Sequence, residues 1–292
     1  MYFYIFLNKT NKLTCVAMKN ILRISSLLIS IIFIIGGFNA CTVINPVGIS
    51  FSSISDMGYE SSGTQTVTIL MDKSIGSDVT IEFEFSGTAI KSSDYNFFST
   101  EVTIPAGSTS ADISFSIINN YEYEPTDKTI IVNLTTISGP GVDEVEFGEN
   151  TTYTFTLQED DVEIDLAWTS TTGITDDFDL DLALIDASEN YIDWSYYGDG
   201  LETVQLDGGS SNGTYYAVAQ LWSGPTSTET ANYTMTVRLP DGSTQTHSDM
   251  FTSERTTDRT LWGITKTGST YTVTQDPFGS NGKAAIEITR IN

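Results

Sequence analysis

Cysteine is nearly absent from this 292-residue chain, and the two that occur, Cys15 and Cys41, both lie near the N-terminus. An internal disulfide framework is therefore excluded for the rest of the chain. Histidine occurs once, as His247. A Ser–His pair would have to use it, yet TQTHSDM (244–250) carries no nucleophile-elbow motif. A surface or strand-edge histidine is the simpler reading. Phosphate-binding and dinucleotide-binding glycine motifs are also missing. Basic residues are few, 13 Lys and Arg against 38 Asp and Glu, for a formal charge of −25. Four of the 13 (Lys9, Lys12, Lys19, Arg23) fall within residues 1–40, which hold no Asp or Glu. Beyond them nine basic residues face 38 acidic ones, a net of −29. That balance excludes nucleic acid as a partner, since binding it needs Lys and Arg to displace counterions. It also repels anionic lipid heads, and it favours solubility and divalent cations.

What is present at the N-terminus reads as an address. From Met18, a plausible true start, the chain runs MKNILRISSLLISIIFIIGGFNAC. Lys19 and Arg23 form a positive leading region, Ile24 to Ile35 an apolar one, and Gly36, Gly37 and Ala40 are small residues before Cys41. Residues 1–40 are therefore expected to be a secretory signal peptide. The apolar stretch is too short to span a bilayer, which takes about 20 residues. FNAC resembles the bacterial lipobox, with Phe38 and Asn39 departing from its usual residues. The resemblance implies that Cys41 is lipidated, several acyl chains being enough for stable anchoring. The expected location is the bacterial cell envelope, on the outer membrane and open to surface exposure. Cys41 is then the only membrane attachment.

Downstream, the chain is rich in Thr, Ser, Val, Ile, Tyr and Phe, which favours β structure. Residues 46–161 show short alternating runs separated by turns, predicting an antiparallel β-sandwich. Seven strands are expected, at about 47–54, 64–71, 79–85, 101–104, 111–118, 129–137 and 151–157. Ile113, Phe115 and Ile117 share one face, as do Ile130, Val132 and Leu134, and Tyr153, Phe155 and Leu157. If successive strands run up and down, loops one, three and five and the exit of the last strand lie at one end. Those segments carry Glu60, then Asp94, then Asn119, Asn120, Glu122, Glu124 and Asp127 in NNYEYEPTD, and finally Glu159, Asp160 and Asp161. Carboxylate and amide oxygens gathered this way are the ligand set Ca²⁺ prefers. Soft ligands are missing there, which argues against zinc or copper. The plain alternative is a set of solvated acidic loops.

ESSG (60–63), GTAIKSSDY (87–95), IPAGSTSADISFSI (104–117), EPTD (124–127) and QEDD (158–161) together resemble the Calx-beta domain family over residues 46–161. The resemblance implies an Ig-like β-sandwich with calcium at the pole, held at Glu60, Asp94, Glu124, Asp127, Asp160 and Asp161. Two departures bear on affinity. Asn119 and Asn120 stand where the family commonly has an Asp pair, and Asp127 where it usually has Glu. Fewer charges imply weak binding, on the order of 10⁻⁴–10⁻³ M.

QEDD runs directly into VEIDLAW without a Gly/Ser or Pro linker. Calcium at that pole would stiffen the joint. Residues 162–292 again alternate, with GDG, DGGSSNG and PDG as turns, and a second, jelly-roll-like sandwich is expected. DDFDLDLALIDASENYIDWS followed by GTYYAVAQLW resembles pre-peptidase C-terminal-like secreted β modules. Asp179 and Asp181 fall on one strand face beside Asp176 and Asp177, a pattern more common on exposed strands than at metal sites. Trp194, Tyr196, Tyr197 and Trp222 are candidates for a sugar-stacking platform, although aromatics at strand spacing usually belong to a core.

The expectation is an all-β chain of two antiparallel sandwiches, non-enzymatic and calcium-binding, with an adhesion or surface-interaction role. Its partner would be an extracellular or envelope protein or a glycan. A carbohydrate-binding or substrate-capture lipoprotein is the alternative. A glycoside hydrolase is a third reading, since two suitably spaced acids suffice for that chemistry.

Overall fold

A computed structural model describes residues 45–170, 178–197, 200–223, 230–252 and 259–275. The segment 1–44, with the signal and Cys41, lies outside them, as do Asp176 and Asp177. Ten strands form the first half: β1 (Val47–Phe51), β2 (Ser55–Tyr59), β3 (Thr64–Met71), β4 (Val79–Gly87), β5 (Tyr95–Phe97), β6 (Glu101–Ile104), β7 (Ser110–Ile117), β8 (Lys128–Ser138), β9 (Val145–Phe147) and β10 (Thr152–Gln158). Nine follow: β11 (Val162–Ser170), β12 (Asp179–Asp186), β13 (Tyr191–Ser195), β14 (Leu201–Leu206), β15 (Gly213–Ser223), β16 (Thr230–Arg238), β17 (Thr244–Thr252), β18 (Arg259–Thr267) and β19 (Thr270–Gln275). The chain is all-β, as its composition indicates.

The first half packs a β5-β7-β3-β1-β9 sheet on a β2-β10-β8-β4-β6 sheet. The three predicted inward faces are all buried: Ile113, Phe115 and Ile117; Ile130, Val132 and Leu134; Tyr153, Phe155 and Leu157. Phe115 and Phe155 meet edge to face at 5.5 Å in the middle of this core. Burying such side chains contributes roughly 1.5–3 kcal/mol each.

Three strands exceed the seven expected. β5 and β9 are three residues long, too short for a period to show. β2 is SDMGY, exposed for most of its length and without an apolar alternation. It pairs in parallel with β10, in the register Leu157↔Gly58 and Gln158↔Tyr59. Two parallel neighbours leave the sheet at the same end, so Glu60 and Glu159 emerge side by side.

The second half pairs a β14-β11-β16-β17 sheet with a β13-β12-β15-β18-β19 sheet, all antiparallel. Its apolar cluster, including Ile164, Leu166, Trp168, Leu182, Met235, Phe251 and Trp262, shares no residue with that of the first half. Between Gln158 and Val162 the chain has only Glu159, Asp160 and Asp161, and all three are buried.

Candidate metal centre

The parallel exit of β2 and β10 builds the site. Glu60 opens a 3₁₀ turn, Glu60–Ser62, just past β2, and is 3 % exposed. Glu159, Asp160 and Asp161 follow β10 and are 5 %, 3 % and 0 % exposed. Oxygens of Glu60, Glu159 and Asp161 lie within 4.8 Å of one another. Ca²⁺–oxygen contacts of roughly 2.3–2.6 Å set ligands of one ion up to about 5 Å apart, so this spacing suits a single calcium. The set is all oxygen, and soft metals are disfavoured.

Part of the negative charge is answered by the backbone. Glu159 Oε1 accepts the amides of Asp160 at 2.8 Å and Asp161 at 2.7 Å. Its other oxygen accepts the amide of Glu124. Asp161 Oδ1 accepts the Gly208 amide at 2.7 Å, and Ser61 donates its hydroxyl to Asp160 Oδ2. The remainder is unanswered. Glu60 Oε2, Asp160 Oδ1, Asp161 Oδ2 and Asn119 Oδ1 are buried without a hydrogen-bond partner. Leaving a buried acceptor unsatisfied costs about 1–3 kcal/mol, and more when it is charged. The electrostatics register this cost. Burial first, then the charges of Glu159 and Asp161, raises the Glu60 carboxyl to about 8. Burial likewise raises Asp161 to about 7, against the Gly208 amide and with help from Glu159, Asp160 and Asp207. Glu159 and Asp160 are also raised, mainly by burial. Glu60 and Asp161, two of the three residues whose oxygens converge, each keep an orphaned oxygen, and this fits a calcium ion, which would replace protons on these carboxyls.

The rest of the pole divides differently. Asp94 is fully buried, and its Oδ2 accepts the Ile90 amide at 2.6 Å. Its Oδ1 pairs with Lys128 Nζ at 2.9 Å, and Lys128 also pairs with Glu124. Asn120 donates to the same Asp94 oxygen at 3.4 Å. So Asp94 and Glu124, expected as ligands, are brought to the pole but held by an internal cation. Asp127 is exposed and lines a cleft of about 400 Å³ between the two halves, with Tyr59, Pro125, Asp241 and Tyr271. Ser92 and Tyr121, in the two pole loops, hold left-handed backbone with φ of 71° and 58°. Non-glycine residues adopt it at a cost of roughly 1–2 kcal/mol.

Sequence reasoning missed the contribution of the second half. Asn119 Nδ2 donates to Asp207 Oδ1 at 2.7 Å, and Tyr123 donates its hydroxyl to the Leu239 carbonyl at 2.8 Å. Tyr271 donates its hydroxyl to the Asp160 carbonyl. A Cβ on Gly208 would collide with the Asp160 carboxyl, so only glycine lets this backbone approach the acids. The one visible signal was glycine after Asp207 in DGGSSNG, which reads equally as an ordinary turn.

On the far half, Trp194 (43 % exposed), Tyr196, Tyr197 and Trp222 are all exposed, not core. Tyr196 and Tyr197 stack at 5.6 Å, and Trp194 meets Tyr191 edge-on at 6.2 Å. Trp222 sits at a bulge of β15 opposite the Asp179–Leu180 step. His247 lies on β17 and its Nδ1 is 2.6 Å from Gln275 Nε2.

Neither a family model nor a curated protein matches the chain. Among solved structures, it is similar to the apo-form Calx CBD1 domain, with 18 % identity over 39 % of this chain and 97 % of that one, at a TM-score of 0.35. The calcium binding domain CBD12 of CALX1.1 is 12 % identical over 59 % of this chain and 80 % of that one, at a TM-score of 0.35. A protein of unknown function from Bacteroides ovatus is 11 % identical over 79 % and 98 %, at 0.32.

Proposed function

We propose that this chain is a non-enzymatic calcium-binding module of the bacterial cell envelope. In this reading it is anchored to the outer membrane by lipid on Cys41 and acts in adhesion or surface interaction. One observation carries the calcium assignment: Glu60, Glu159 and Asp161 are almost wholly buried with oxygens within 4.8 Å of one another, and Glu60 and Asp161 each keep an oxygen without a partner. A divalent cation neutralises them and fills those coordination sites at once. Because Asp161 and Asn119 are already bonded to the Asp207–Gly208 turn, the same ion would tie the two halves together. Calorimetric titration with CaCl₂ tests this. Saturable binding that raises the melting temperature, and that is abolished by Asp160→Asn with Asp161→Asn, is the expected result. No heat at millimolar calcium refutes it. Lipidation is tested by incorporation of an alkyne fatty acid during expression in a bacterial host, with loss expected in Cys41→Ser.

The exposure of Trp194, Tyr197 and Trp222 favours a second reading, glycan capture on the second half. Retardation in polysaccharide-containing gels, lost in Trp194→Ala and Trp222→Ala, would support it. Unchanged mobility in every polysaccharide tried would count against it.

A further inference from the structure

Strand β12 is buried on both faces. Leu180, Leu182 and Leu184 join the core of the second half, and Asp181, Ala183 and Ile185 alternate with them on the outer face at 4 %, 1 % and 1 % exposure. Val218 of the neighbouring β15 is fully buried in the same outer cluster as Ala183 and Ile185, so Gln220 and Trp222 take that face too. Trp194 stands opposite Ala183 on β13, and its ring meets Tyr191, which packs against that cluster. The outer face therefore carries a tryptophan on either side of the sunken β12, Trp194 at 43 % and Trp222 at 46 % exposure. Gln220 pairs with Asp181 across the floor between them, and its Oε1 is buried without a hydrogen-bond partner.

We infer that this face binds an extended, uncharged oligosaccharide, stacked on Trp194 and on Trp222 and hydrogen-bonded to Gln220 between them. The inference rests on the glycan reading of the second half and adds the site, the length and the charge of the sugar. The two tryptophans are two strands and about three residues apart in register, which sets them roughly 14 Å apart. One sugar ring cannot cover both, and a short chain of rings can. The C–H face of a pyranose carries partial positive charge and meets the negative face of an indole. The orphaned amide oxygen needs a donor, and sugar hydroxyls supply one, with the Asp181 carboxylate as a neighbouring acceptor. A wholly apolar partner would leave that oxygen unsatisfied. Beyond residue 40 nine basic residues face 38 acidic ones, and that field repels polymers bearing uronate or sulfate.

Calorimetric titration of the full chain with cellohexaose, laminarihexaose, mannohexaose and chitohexaose, with their monosaccharides and with hexagalacturonate is the test. At least one neutral hexasaccharide should bind at least about tenfold more tightly than its monosaccharide, and Trp194→Ala and Trp222→Ala should each weaken it at least about tenfold. Trp194→Phe keeps a stacking ring and should keep most of the affinity, which separates loss of the contact from loss of folding. Gln220→Leu should weaken binding without lowering the melting temperature. A monosaccharide that binds as tightly as its hexamer, or hexagalacturonate that binds as tightly as the neutral chains, overturns the inference and keeps glycan capture. So does binding that is lost in Tyr196→Ala or Tyr197→Ala but unchanged in both tryptophan-to-alanine variants. Failure of every hexasaccharide removes both, and a dimer in sedimentation that Trp194→Ala dissolves would then assign the face to a second copy of the chain.

Discussion

Raising the pH in the presence of a chelator should weaken the fold, and calcium should reverse the loss. Glu60 titrates near 8 in the folded chain and Asp161 near 7, against ordinary values of 4.5 and 3.8. At pH 4 and below, the folded and unfolded chains both hold these protons. As the pH climbs, the unfolded chain releases them first, so the folded chain binds more protons and its stability falls. The fall runs from about pH 4 to about pH 8 and is complete above it. For Glu60 alone the rise corresponds to roughly 5 kcal/mol. Burial is the first cause of the Asp161 shift as well, so about 5 kcal/mol is a lower bound for the pair. For a chain of this size about 1 kcal/mol moves the melting temperature by roughly 2–4 °C. A decline of about 10–20 °C is expected between pH 5 and pH 8.5 in EGTA. With saturating calcium the decline should largely disappear. Calcium should also displace at least about one proton at pH 7, since Glu60, raised to about 8, is mostly protonated there. Calorimetry in buffers of different ionisation enthalpy reads that number. A melting temperature independent of pH in EGTA, or calcium binding without proton release, would refute the reasoning.

Other consequences are local. Gly208→Ala would drive a Cβ into Asp160 and disturb the Gly208–Asp161 bond. Calcium affinity should fall at least about tenfold by calorimetry, the free-energy equivalent of about 1.4 kcal/mol. Tyr271→Phe removes the hydroxyl bond to the Asp160 carbonyl and should cost about 1 kcal/mol in urea unfolding. A change below about 0.3 kcal/mol would mean the bond contributes nothing. Phe155→Ala empties the centre of the first core and should cost about 3–5 kcal/mol in the same assay, leaving the second half's transition in place.

Period-two patterning was enough to locate the core of the first half. Tyr153, Phe155 and Leu157 alternate with threonines, and one face must be inside. The convergence of Glu60 and Glu159 was also legible, from counting strand reversals, but the cause was not. Their adjacency comes from β2, an exposed strand whose SDMGY has no apolar period to read. Nothing in the sequence singles out Lys128, which opens β8. Only the tertiary structure puts it against Asp94, 34 positions earlier. Asp207 and Gly208 act across the junction for the same reason, because a loop's partner is set by packing rather than by its own composition. The aromatics illustrate the reverse case. Trp194 and Trp222 have strand spacing and still face outward, because alternation fixes two faces without saying which one is covered.

The central claim is that Glu60, Glu159 and Asp161 hold a calcium ion. Crystals grown with calcium, measured at a wavelength where its anomalous signal is strong, test it most directly. The account predicts one anomalous peak among the carboxylates of those three residues in the wild type. No peak there at millimolar calcium, or a peak only between Asp94 and Glu124, would contradict it.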